Sequence, residues 1–183
     1  MTYYGSKELA RSFRTVRKNT LTVAEEIPEN QYGFRPTPES RSVAEILAHI
    51  AVVTRTNYEN HAVHKIRTFV GVDFAALARQ RQESERQLVT KAQLLDALRR
   101  GGEAWSGYLD GVSEAELTDE IPFSAPAEPR SKSRFEMILS VKEHEMHHRA
   151  QLMVIERMLG LVPHLTRERQ ARAAQVAAKP AGG

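Results

Sequence analysis

A chain of 183 residues, 41% hydrophobic and 27% charged, has the size and composition of one globular domain with a sizeable core. Lys plus Arg exceed Asp plus Glu by only 26 to 23, a formal charge of +3, and the signs are interleaved, which argues against nucleic acid or an anionic membrane as the main partner. Cys is absent, which excludes a disulfide framework, thiolate-ligated zinc, iron–sulfur clusters and a cysteine nucleophile.

Met1 to Asn30 carries no apolar leader segment. The most apolar stretch, Ile46 to Val53, is interrupted by His49 and falls far short of the ~20 residues of a membrane helix. A cytoplasmic protein is expected.

Periodicity predicts four long helices and no strands. The first runs from Ser6 to Glu26, with Leu9, Phe13, Val16, Thr20 and Val23 on one face, and stops at Ile27-Pro28. A loop follows from Glu29 to Arg41. Ser42 and Glu45 have capping-box spacing and open a second helix whose inner stripe is Val43, Ile46, Leu47, Ile50, Val53 and Asn57. Its pattern extends to about Phe69, with Gly71 as the stop. Val72 to Val89 is polar and reads as a linker with a short helix near Phe74 to Leu77. Thr90 and Gln93 cap a helix to Leu109, with a bend expected at Gly101-Gly102. Ser113 to Leu117 reads as one turn, and Pro122, Pro126 and Pro129 mark a loop. Ser133 and Glu136 open the fourth helix, which ends at Leu159 before Gly160 and Pro163. Residues 1–163 are expected to form the bundle. Residues 164–183 form an Ala/Arg-rich tail, helical from Thr166 to Ala178 and disordered from Lys179 to Gly183.

Four one-sided apolar stripes need one another, and a four-helix bundle buries them all. On the fourth helix the stripe is Met137, Val141, His144, His148, Leu152, Ile155 and Leu159. Two histidines one turn apart thus point into the interior, and His49 lies near the inner face of the second helix. An unpaired buried polar group costs roughly 1–3 kcal/mol. A divalent cation accepting a lone pair from each of His49, His144 and His148 removes that cost, and three protein ligands leave a coordination position open. The competing reading is one core histidine plus two partly exposed ones.

His147 is expected at the periphery. His64 lies 15 residues beyond His49, ~22 Å along the axis. His61 and His64, at i and i+3, therefore cannot join the cluster; they read as surface histidines, with a second metal site as the alternative. His164 is expected to take no part in the chemistry. Glu45 and Glu145 suit solvated faces better than a role as base or outer partner. Arg149 and Gln151 read as residues that position the His pair or line the site entrance, with a surface ion pair favoured for Arg149. Trp105 and Tyr108 read as core.

The run Ile27-Pro28-Glu29, Phe34-Arg35-Pro36 and Arg41-Ser42-Val43-Ala44-Glu45-Ile46-Leu47-Ala48-His49-Ile50, followed by His144-Glu145-Met146-His147-His148-Arg149-Ala150-Gln151, resembles the DinB-like (YfiT-like) family of metalloenzymes from about residue 6 to 163. Ala150 stands where that family usually has Gly. The resemblance implies a four-helix bundle in up-down-down-up order, the polar stretch 72–89 supplying the crossover. It implies a divalent metal, zinc or nickel or similar, on His49, His144 and His148, and a homodimer. It also implies thiol-dependent chemistry with bacillithiol, mycothiol or glutathione. The expected activity is a thiol-dependent S-transferase or hydrolase acting on small electrophilic molecules, with any sulfur nucleophile supplied by a low-molecular-weight cosubstrate. The alternative is a metal-binding, stress-associated protein without turnover. A nucleic-acid module is a third reading, suggested only by the basic balance and the Arg-rich tail.

Overall fold

The computed structural model of the chain describes residues 4–178, so the expected disordered end lies outside the described residues. The helices α1 (Ser6–Glu26), α2 (Val43–Tyr58), α4 (Lys91–Gly111) and α6 (Arg134–Met158) form the bundle, with α3 (Phe74–Arg86) as the crossover and α5 (Glu114–Leu117) and α7 (His164–Ala177) at its ends. Around the bundle, α4 and α6 each pack against both α1 and α2.

Side-chain pairs fix the directions. Arg14 meets Asp110 and Arg99 meets Glu25, so α1 and α4 are antiparallel. His49 meets His144, while His61 further on meets Arg134, so α2 and α6 are antiparallel. Arg17 meets Glu145, and Glu26 meets Arg167 just beyond α6, so α1 and α6 are parallel. The order is up, down, down, up. It requires a connection from the end of α2 back to the start of α4, and α3 spans that distance.

Local chemistry explains the helix ends. Ser42 accepts from the Glu45 amide while Glu45 accepts from the Ser42 amide, and Thr90 and Gln93 do the same. Ser133 caps α6, but Glu136 turns to Lys132 instead of completing the box. Lys91 Nζ donates to the Glu25 and Ile27 carbonyls at 2.8 Å each, satisfying acceptors that α1 leaves open at its end.

The core has two apolar clusters. One centres on Leu47, Ile50, Leu94, Leu98 and Leu152, the other on Phe13, Trp105, Leu109 and Ile138. Between them lies a buried polar layer. Arg17 holds both Glu145 oxygens at 2.8 and 2.9 Å, donates to Thr54 Oγ1 at 2.8 Å and reaches the Leu98 carbonyl. Gly102 is where this arginine crosses α4: a Cβ there would stand 2.9 Å from Arg17 Cγ. Where a bend is expected, α4 runs unbroken through Gly101 and Gly102.

Three expectations are corrected. The second helix ends at Tyr58, and Glu59–Val63 is a wider π turn, because Arg134 bonds both the His61 ring and the Ile66 carbonyl and draws the segment inward. The stretch 72–89 is mostly helix, capped by Asp73, whose carboxylate accepts from the Ala76 amide. Short antiparallel strands, Glu120–Pro122 and Ser131–Ser133, close the proline loop where none was expected. Among the described residues no helix is long and apolar enough to cross a membrane.

Glu156 is fully buried and neither carboxylate oxygen has a hydrogen-bond partner. Burial, with the Glu26 charge, raises its pKa from 4.5 to about 7, against the opposing pull of Arg167 and Arg157. A carboxyl raised on folding binds more protons in the native state, so its contribution is complete below pH 4.5 and is lost as pH rises toward 7. The shift corresponds to about 3 kcal/mol. Urea unfolding at pH 5 and pH 8 should show this loss in the wild type and its absence in Glu156→Gln.

Candidate metal centre

His49 sits two turns into α2, and His144 and His148 sit one turn apart on α6, which passes antiparallel beside it. The His49 and His144 Nε2 atoms are 3.0 Å apart, and those of His148 and His144 are 3.2 Å apart. All three ligand atoms lie within 4.8 Å of one another. The sequence-derived trio is therefore brought together at one point.

Outer partners set the tautomers. His49 Nδ1 is 2.7 Å from Glu85 Oε1, and His148 Nδ1 is 2.8 Å from Gln151 Oε1. Both partner atoms are acceptors, so each Nδ1 carries the hydrogen and each Nε2 turns a lone pair toward the cluster. A hydrogen on His144 Nε2 could satisfy only one of its two neighbours. A cation satisfies all three donors at once, so the residues present fit a divalent metal.

The electrostatics agree. Burial lowers the pKa of all three histidines, and for His144, with the other imidazoles adding repulsion, the value falls to about 4. Neutral rings at pH 7 keep the lone pairs available.

Two clefts flank the centre and share Arg41. One, of about 580 Å³, is lined by Glu85, Ser42, Glu45 and Arg86 among others. The other, of about 320 Å³, runs between Pro36, Ile46, Val154 and Ile155 and reaches His148 and Gln151.

Other site expectations divide. His147 is exposed and touches the Gln151 amide at 3.2 Å, and Gln151 positions His148 as expected. Glu45 is solvent-facing and pairs with Arg35. Glu145, expected at a solvated face, is 1% exposed because Arg17 compensates its charge. Arg149 forms no ion pair; it is half-buried against the Val16 carbonyl of α1. His61, expected at the surface, is buried beside Trp105 and Arg134, and burial lowers its pKa to about 4. His164 is buried at the start of α7, where Asn19 approaches it at 3.4 Å. Trp105 is core, as expected. Glu85 was not singled out in the sequence, since its stretch carried no strong helical stripe. An acidic residue one turn before Leu88 on a capped helix was the only available signal.

The comparisons follow the same helices. The Bacillus subtilis (strain 168) protein YjoA is 24% identical over 155 residues, covering 85% of this chain and 91% of YjoA. The structure of YfiT from Bacillus subtilis, described as "a probable metal-dependent hydrolase with an unusual four-helix bundle topology", is similar with a TM-score of 0.69 at 13% identity, covering 88% of this chain and 91% of YfiT. A DinB-family structure from Exiguobacterium sibiricum 255-15 is similar with a TM-score of 0.61 at 20% identity, covering 87% of this chain and 94% of that one. The DinB superfamily itself matches residues 12–152, a span that holds α2, α4, most of α1 and α6 and all three clustered imidazoles, and to that superfamily the chain belongs.

Proposed function

We propose that the protein is a metal-dependent hydrolase of small electrophilic molecules, with His49, His144 and His148 as the metal ligands. The convergence of three neutral Nε2 donors, two of them oriented by hydrogen bonds from Nδ1, carries this reading. A bound divalent cation such as zinc or nickel supplies Lewis acidity and a lowered pKa for a nucleophile at its open position. The chain's own residues do the rest. Glu85 and Gln151 hold the His49 and His148 rings, and the two clefts admit reactants from both sides of Arg41. The description of YfiT supports the same chemistry.

Two separate clefts also favour a second reading, in which a low-molecular-weight thiol occupies one and the electrophile the other, giving an S-transferase. With no Cys in the chain, that sulfur would be external. The proposal includes a cytoplasmic homodimer, supported by an exposed ridge of Met146, Ala150, Val154 and Met158 on α6.

Zinc- and nickel-loaded protein should be assayed on activated esters and amides, and on electrophilic halides with bacillithiol, mycothiol or glutathione. Turnover lost in His148→Ala and kept in the exposed variant His64→Gln supports the reading. Metal binding without turnover on any substrate favours a metal-binding protein instead. Glu85→Ala should weaken zinc binding by about 10–100-fold, as loss of a ligand's hydrogen-bond acceptor does, read by chelator competition. Unchanged affinity would show that Glu85 does not orient His49.

A further inference from the structure

We infer that Arg41 is the anchor for an anionic substrate, and that the 320 Å³ cleft takes a small molecule with an apolar body and one carboxylate. This rests on the proposed reading only in taking the cluster beside the cleft as the reactive centre.

The other cations of the larger cleft are paired, Arg35 with Glu45 and Arg86 with Glu83 beyond the lining; of its remaining carboxylates Glu85 is held by His49 and the exposed Glu39 forms no ion pair among the described residues. Arg41 is different. Among the described residues no carboxylate lies within ion-pair distance of it, and no hydrogen bond holds its guanidinium. Its charge is nonetheless close enough to His49, His144 and His148 to act on all three. A cation beside a cluster built to hold a divalent cation repels it, and the single Glu85 carboxylate on His49 leaves a net positive charge there. An anion between them would offset more of it.

The cleft wall defines the rest of the ligand. Pro36 and Ile46 on one side and Val154 and Ile155 on the other are apolar, and Arg41 is the only charged side chain. The volume lies at the small end of ligand sites. A planar guanidinium matches a carboxylate in two parallel hydrogen bonds. One positive charge neutralises one negative charge, so a phosphate dianion would leave charge unmatched among apolar walls. The His148 edge of the cleft then faces the reactive end of a molecule whose carboxylate is held at Arg41.

The test uses full-length protein stripped of metal, so that a carboxylate cannot be scored for binding a cation instead. Hexanoate, hexan-1-ol and hexyl phosphate are titrated while the methyl resonances of Ile46, Val154 and Ile155 are followed by NMR. Hexanoate should shift these methyls and bind best of the three. Arg41→Gln should weaken it by about tenfold or more, Arg41→Lys should keep part of the affinity, and hexan-1-ol should be indifferent to both. Arg41 is exposed, and circular dichroism confirms that the variants fold. Equal hexanoate affinity in Arg41→Gln, shifts confined to other methyls, or binding that appears only with added zinc would each overturn the inference. The selectivity without any metal affinity would sink the hydrolase reading alone; metal affinity without the selectivity would sink this one alone.

Discussion

His144→Ala should reduce bound zinc from about one equivalent per chain to near none, measured by elemental analysis of protein purified in the presence of zinc. His144 is the hub of the cluster, its Nε2 within 3.0 and 3.2 Å of the other two. Its loss leaves two protein donors, fewer than the three that metal sites with an open position generally keep. The fall in affinity should exceed the ~10–100-fold expected for an outer partner such as Glu85. The fold should survive, because His144 is only half-buried and makes no contact with the buried polar layer. Retention of a full equivalent would remove the metal centre from this site.

Glu145→Ala should be the most destabilising single change in the bundle, by about 3–5 kcal/mol, because it strands a buried guanidinium. Arg17 and Glu145 are 5% and 1% exposed, and Arg17 cannot swing to water without vacating its bonds to Thr54 and the Leu98 carbonyl. Against a typical total of about 5–15 kcal/mol, such a loss approaches unfolding. Replacing both partners with Arg17→Met and Glu145→Leu should recover most of it, since the desolvation cost of the pair disappears along with its attraction. Urea denaturation of the three variants decides the matter. A single variant within 1 kcal/mol of wild type would show that Arg17 finds other compensation.

The four bundle helices, their caps and the histidine trio are legible because each leaves a local trace. Ser42 with Glu45 and Thr90 with Gln93 are contacts within one turn. His144 and His148 share a face by spacing alone. The inner face of α6 is rotated slightly from the stripe that periodicity predicts. The buried seam runs Arg134, Ile138, Val141, Glu145, His148, Leu152 and Ile155, and its charged members hide it from a hydrophobicity pattern. Whether a glutamate faces water or a partnered arginine 128 residues away is not encoded nearby. The same holds for His61, whose burial depends on Arg134. The crossover helix reads as only a short turn near Phe74 to Leu77 for the opposite reason. Its inward face, Leu77, Arg81, Ser84 and Glu85, has only one apolar member, so periodicity has little to detect.

That crossover carries a consequence for how the centre could be adjusted. No residue of α3 is buried, yet α3 delivers the carboxylate that holds the His49 ring. The group that governs the basicity of one imidazole thus rides on an element outside the load of the core. Drift along α3 can retune the reactivity of the centre while the scaffold beneath keeps its strength.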